Sequence, residues 1–304
     1  MLRNPIPWPN GARCACAITF DMDADSLIHI ARPKDGFDRL YPVTMGRYGP
    51  NVAIPRILAT YRRFGLKQSF FVPGWCLERY PAAVEAILED GHEVGHHGYL
   101  HEDPTEHTGA EQAYWFERAL EVHKRVTGRT PRGYRAPVYN VNQAVIDLLI
   151  ARGFTYDSSL MGDDIPYLMR TSAGELWEMP VHWGADDWPP FAHYPEIGYM
   201  MPVKAPTKGL EASFEEFEAQ YEAGGFWMAI WHPFLTGRLA RWHVVERWLE
   251  QTVATKKVWF APLEQIAAYV QDLRTSGQYA PAVDHLPYYT QPQHLQSATR
   301  GEAL

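Results

Sequence analysis

Residues 14–23 read Cys14-Ala15-Cys16-Ala17-Ile18-Thr19-Phe20-Asp21-Met22-Asp23, an apolar run that stops on two carboxylates. An uninterrupted apolar run of this length, bounded by polar residues, reads as a strand buried on both faces, the kind found in parallel sheets. Its C-terminal end delivers Asp21 and Asp23. Cys14 and Cys16 alternate along it, so both point to one face as buried thiols.

Working outward, helical and extended patterns alternate. Ile54, Ile57, Leu58 and Tyr61 have helical spacing, with Gly65 as the stop, and 68–73 reads as a strand. Pro81 opens a helix that Gly91 closes, and 92–95 is a short strand. Trp115, Ala119, Val122 and Val126 mark a helix ended by Gly128, followed by a strand at 133–136. Asn142 caps a helix running to Arg152. Strands follow at 154–159 and 176–182, and Ser213 with Glu216 forms a capping box that starts the next helix. The aromatic strand 226–231, a helix over 240–250, a strand at 258–261 and a helix over 263–274 complete the series. This alternation predicts an α/β fold of parallel βαβ units: a distorted (β/α) barrel of about seven parallel strands, spanning 1–275 as one domain. The Gly/Pro-rich segment 26–50 reads as a long loop. The tail 276–304 is polar and aperiodic, either disordered or an arm laid on a neighbouring subunit. Its Tyr279, Pro281, His285, Tyr288 and Tyr289 favour the arm, and with it a homo-oligomer.

Composition narrows the class. The chain has 304 residues, 46% of them hydrophobic, with a formal net charge of −8. It carries no basic block, which excludes nucleic acid as a partner. No stretch has the apolar length of a membrane span. Three cysteines are too few for a disulfide framework, and the N-terminus shows no apolar leader, so the expected location is the cytoplasm.

The chemistry gathers where predicted strands end. In Gly95-His96-His97-Gly98-Tyr99-Leu100-His101-Glu102, His97 and His101 lie four residues apart, a spacing that converges two imidazoles on one metal from a helical turn or a tight loop. Two His with one carboxylate from Asp21-Met22-Asp23 leave positions open for water and substrate. Arg135 and His232 also follow predicted strands. Each alone has a plainer reading: a surface histidine pair, a helix cap at Asp21, a salt bridge at Arg135, a turn at His232-Pro233. Four such groups at one end of four strands point to a site. Trp183, Trp188, Phe191, Tyr194 and Tyr199 fall in a proline-rich span after the strand at 176–182. They are expected to wall a narrow apolar pocket for a small molecule, with Asp187 or a backbone amide fixing a ring N–H or C=O.

Thr19-Phe20-Asp21-Met22-Asp23, His97-Gly98-Tyr99-Leu100-His101, Arg135-Ala136-Pro137 and Ile230-Trp231-His232-Pro233 resemble, in order, the motifs of the polysaccharide deacetylase superfamily (NodB homology, carbohydrate esterase 4). The finer likeness is to its cytoplasmic branch of cyclic imide hydrolases, allantoinase-like proteins and a peptidoglycan-deacetylase-like group. Tyr48-Gly49-Pro50-Asn51-Val52, Phe71-Val72-Pro73-Gly74-Trp75, Tyr156-Asp157-Ser158-Ser159 and Glu178-Met179-Pro180-Val181 carry it. Met22 stands between the two aspartates, where the extracellular deacetylases commonly have them adjacent. The resemblance implies a NodB-like barrel and a divalent metal, Zn²⁺ by its mixed N and O ligands, held by Asp23, His97 and His101. It implies Asp21 as general base, Arg135 as the residue that holds Asp21, and His232 as general acid. Glu178, Asp186 or Asp187 orients His232, and His96 is structural. Tyr139, Trp183, Asp187 and Trp188 are the substrate-contact candidates. The implied protein is a homotetrameric hydrolase of a small cyclic imide or ureide; the alternative is an N-deacetylase of a polysaccharide or peptidoglycan.

Overall fold

The computed structural model describes residue 2 and residues 4–291. Strand β1 (Cys14–Asp21) is buried along its whole length. Its side chains separate by parity: Cys14, Cys16, Ile18 and Phe20 join the cluster beneath the outer helices, while Ala15 and Ala17 join the inner cluster. Small residues inside and large ones outside suit a narrow, curled sheet. β2 (Ser69–Val72) and β3 (Glu93–His96) follow, then β4 (Gly133–Tyr134), β5 (Tyr156–Asp157), β6 (Tyr167–Thr171), β7 (Gly174–Glu178), β8 (Phe226–Trp231), β9 (Val258–Phe260) and β10 (Val283–His285). The sheet runs β10-β6-β7-β5-β4-β3-β2-β1-β8, and β9 pairs with the start of β1.

Seven of these strands, from β7 round to β8, are parallel neighbours, as the alternation predicts. The barrel is not closed. β7 and β8 do not pair; a lone parallel bridge between Asp186 and Ile230 spans the seam, supported by Asp187 N–H donating to Ile230 O at 3.1 Å. The inner cluster continues into Ile6, Trp8 and the buried face of the last helix, with Leu263, Ile266 and Val270.

Several local expectations are corrected. Residues 26–50 are not a loop: they hold α1 (Ser26–Ala31) and α2 (Leu40–Tyr48), too short and too weakly amphipathic to show a period. α3 (Ile54–Phe64) ends at Gly65 in the left-handed region, and α4 (Gly74–Arg79) precedes α5 (Pro81–Glu89). α6 (Gly109–Thr127) carries the real capping box, Thr108 with Glu111; α7 (Gln143–Ala151) follows, with α8 (Trp188–Phe191) a single turn. α9 (Pro206–Ala223) starts at Pro206, so Ser213, read as its cap, lies buried in mid-helix. α10 (Leu239–Ala254) and α11 (Leu263–Thr275) complete the helices. β6 forms an antiparallel hairpin with β7. Of the tail, residues 283–285 join β6 of their own chain, and residues 292–304 lie outside the described residues. Among the described residues no helix is long and apolar enough to cross a membrane.

Candidate active site

Parity along β3 explains the histidine cluster. Glu93, Gly95 and His97 take one side of the strand's line and Val94 and His96 the other. Gly95 leaves the space that the Phe71 ring occupies; a Cβ there would sit 2.7 Å from it. His96 packs outward, stacked on Phe116 and His123, with Nδ1 accepting from Gly98 N–H. It is structural, as the resemblance implies. His97 turns inward. Its Nδ1–H donates to Arg135 O at 2.7 Å, which fixes the tautomer and leaves Nε2 bare. The chain then reverses through Gly98 (φ 69°) to His101 (φ 68°), a tight loop rather than a helical turn. Glu102 holds that loop, accepting from Tyr99 N–H and Leu100 N–H.

Three donors converge here. His97 Nε2 lies 3.3 Å from Asp23 Oδ1, and His101 Nε2 lies 3.5 Å from Asp23 Oδ2. One ligand atom from each of the three residues lies within 4.8 Å of the others. Asp23 Oδ1 and His97 Nε2 are buried and have no hydrogen-bond partner. A buried polar atom left bare costs about 1–3 kcal/mol, so two of them facing each other mark a place built for a cation. Burial disfavours a charged His97, yet Asp21 and Asp23 raise its pKa above the ordinary value. Burial lowers His101 to about 4, keeping its imidazole neutral as a ligand must be. The residues fit a divalent metal with a mixed nitrogen and oxygen set.

Beside this trio, Asp21 is gripped by a buried arginine. Arg135 Nη1 donates to Asp21 Oδ1 at 2.6 Å and to Thr19 Oγ1 at 2.9 Å. Its Nε and Nη2 donate to Ser158 O and Ser158 Oγ, and the guanidinium lies 4.2 Å over the Phe71 ring. The opposite wall is His232, whose Nδ1–H donates to Asp187 Oδ1 at 2.7 Å. Its Nε2 faces Asp23 Oδ2 at 3.4 Å. Burial works against a charged His232, but Asp187, Asp23 and Asp186 together raise it to about 10.

The candidate partners of His232 are now separated. Asp187 holds it, and Asp187 Oδ2 also accepts from His232 N–H and Thr236 N–H. With three of a carboxylate's roughly four acceptor positions filled, two of them by His232 itself, Asp187 serves His232 rather than the substrate contact expected of it. Glu178 Oε1 accepts from Ser159 N–H and Leu160 N–H, bracing the segment that holds Arg135. Asp186 instead accepts from Tyr139 O–H and, at 2.6 Å, from Trp188 N–H. Burial raises Asp186 to about 7, with His232 opposing it. Asp186, Asp187 and His232 also cluster within 4.8 Å, but the Asp187 oxygens and His232 Nδ1 are committed to hydrogen bonds and so are not open to a metal. Trp188 packs edge-on to His232, and Trp183, half exposed, stands edge-on to Tyr139. Tyr199 backs Trp188, whereas Phe191 and Tyr194 are buried in the core.

A protein from Mycobacterium smegmatis assigned to the polysaccharide deacetylases is 34% identical, covering 97% of this chain and 99% of that one, with a TM-score of 0.87. The peptidoglycan deacetylase of Helicobacter pylori is 30% identical over 199 residues, 57% of this chain and 67% of the relative. The chain belongs to the polysaccharide deacetylase family. The family's own pattern matches residues 44–156, which include His97, His101 and Arg135 but stop short of both Asp21 and His232. The Puue allantoinase shares the fold at 20% identity, covering 92% of this chain and 96% of that one, with a TM-score of 0.76. Removing an acetyl group from nitrogen breaks an amide-type C–N bond. This polysaccharide deacetylase homologue is a hydrolase of that kind of bond, in a family that depends on a divalent metal.

Proposed function

We propose that this enzyme hydrolyses the C–N bond of a small cyclic imide or ureide, using Asp23, His97 and His101 to hold Zn²⁺ or a similar divalent cation. The observation that supports a small substrate is burial. Asp23 is 1% exposed, His97 2% and His232 7%, with Trp188 against His232 and Trp183 over Tyr139 at the rim. Buried reacting groups flanked by aromatic rings suit a flat ring of a few atoms better than a glycan chain.

A cation in that trio supplies Lewis acidity, acidifying water and polarising a carbonyl. Asp21, aimed by Arg135, takes the proton of the attacking water as its oxygen adds to the carbonyl carbon. His232, fixed by Asp187 with Nε2 facing the trio, gives a proton to the nitrogen as the C–N bond breaks. The bonding electrons leave with nitrogen. From a ring, the product is one open chain carrying a new carboxylate and a freed amide or amine. Burial of the trio keeps bulk water from screening these charges.

The second reading, N-deacetylation of a sugar or peptidoglycan fragment, is supported by the names of the relatives at 30% identity and above. Turnover of succinimide, dihydrouracil, hydantoin and allantoin, set against acetate release from a chitooligosaccharide and a peptidoglycan fragment, separates the two. We expect ring opening of at least one imide or ureide; acetate release with no ring opening reverses the order.

A further inference from the structure

Asp186 differs from the other three aspartates of the site. Asp21 has Arg135, Asp23 has three imidazoles and Asp187 has His232, but Asp186 forms no ion pair among the described residues. It is 4% exposed and held from three sides: the backbone bridge to Ile230, Trp188 N–H on Oδ1, and Tyr139 O–H on Oδ2. A carboxylate has about four acceptor positions, and two are filled. One of its oxygens lies within 4.8 Å of a ring nitrogen of His232. An acceptor with spare capacity is therefore fixed beside the His232 imidazole.

The backbone that aims Tyr139 is strained. Val138 (φ 52°) and Tyr139 (φ 61°) are consecutive non-glycine residues in the left-handed region, directly after Arg135-Ala136-Pro137. Such residues cost energy, most of all a β-branched valine, and they persist where the surroundings over-determine them, commonly at functional sites. The strain does not serve to bury Val138, which is 54% exposed. What it achieves is the placing of Tyr139, whose hydroxyl reaches Asp186 and whose ring meets the edge of Trp183.

We propose that Asp186 is a specificity-determining residue that accepts the N–H of the substrate's scissile nitrogen, with Tyr139 as the residue that positions it. The inference rests on the reading of the site as an amide C–N hydrolase with His232 as its proton donor. As water adds to the carbonyl carbon, the planar nitrogen becomes pyramidal and its lone pair must turn toward His232. Gripping the N–H from the Asp186 side leaves the lone pair free to face the imidazole. The substrate class is then one whose scissile nitrogen carries a hydrogen: an unsubstituted imide, a ureide or a secondary acetamide, and not an N-alkyl imide.

Paired substrates test this: succinimide against N-methylsuccinimide, and an N-acetylglucosamine oligomer against its N-methylated acetamide, each with metal-loaded wild type, Asp186→Asn and Tyr139→Phe. Losing a hydrogen bond to a charged group corresponds to about 10–100-fold. Wild type is expected to prefer the N–H member by about that factor. Asp186→Asn is expected to lose it on the N–H member, in kcat more than in KM, with full metal content and little change on the N-methyl member. Tyr139→Phe, which leaves Asp186 in place, should shift the ratio in the same direction by less. If only the acetamide pair is turned over, the small-ring reading fails while Asp186 is still judged on that pair. Calorimetric binding of the same pairs reads the ratio without turnover. An N–H to N-methyl ratio that is the same in wild type and Asp186→Asn, in turnover and in binding, overturns the proposal.

Discussion

One strand, β3, places a buried acid at one end and a buried imidazole at the other, and the two are treated in opposite ways. At its start, Glu93 is 1% exposed, yet both oxygens are satisfied: Oε1 by Tyr156 O–H at 2.7 Å, Oε2 by Ser69 O–H and Glu264 N–H. Just past its end, His97 is equally buried, but Nε2 faces a bare Asp23 oxygen with nothing between them. Burial alone therefore does not mark a functional residue within this barrel. A buried polar group with every position filled ties strands and a helix together. One left open toward other donors waits for a ligand. Arg135 and Asp187 belong to the first kind although they stand in the site, which is why they are read as holding Asp21 and His232.

The sharpest way to break this contrast is at His97. His97→Ala should abolish metal binding and bring activity to background, read as metal per chain by mass spectrometry alongside turnover. A variant with full metal content would remove His97 from the ligand set, and the open atoms would need another meaning. Next come the proton acceptor and the residue that holds the proton donor. Asp21→Asn and Asp187→Asn should each keep the metal and lose about 10²–10⁴-fold in kcat, the usual size of an acid or base contribution. Near-wild-type rates in either would place that proton transfer elsewhere.

The smallest effect is expected at the closed end. Burial, with Glu264 nearby, raises Glu93 to about 7 from an ordinary 4.5 in spite of its hydrogen bonds to Ser69 and Tyr156. A folded-state pKa above the unfolded one means the native protein binds this proton more tightly. The stability Glu93 contributes is whole below about pH 4.5 and is lost as pH rises through about 7. Wild type should therefore show a melting temperature that falls across that window, and Glu93→Gln should flatten the fall while leaving metal content and kcat alone. A loss of metal in Glu93→Gln would show that the two ends of β3 are not independent.

Much of this molecule is written locally. The apolar run into Asp21 and Asp23, the stops at Gly65 and Gly128, and the His97/His101 pair are short-range signals, because helix period, capping and strand burial depend on residues a few positions apart. They sufficed for a parallel α/β barrel and for the residues that meet in its mouth. Ser213 shows the limit of such signals: it stands three residues before Glu216 like a cap, but packing continued the helix past it. α1 and α2 are too short to carry a period, and the buried places of Phe191 and Tyr194 depend on what packs over them. The choice among Glu178, Asp186 and Asp187 was undecidable along the chain, since all three lie within ten residues and share the same chemistry. It is settled by the seam between β7 and β8, where the bridge at Asp186 swings Asp187 under His232, 45 residues away, and leaves Asp186 to Tyr139. The pairing of Arg135 with Asp21 spans 114 residues. Contacts of that range leave no periodic trace, because closing the sheet, rather than any local preference, brings them together.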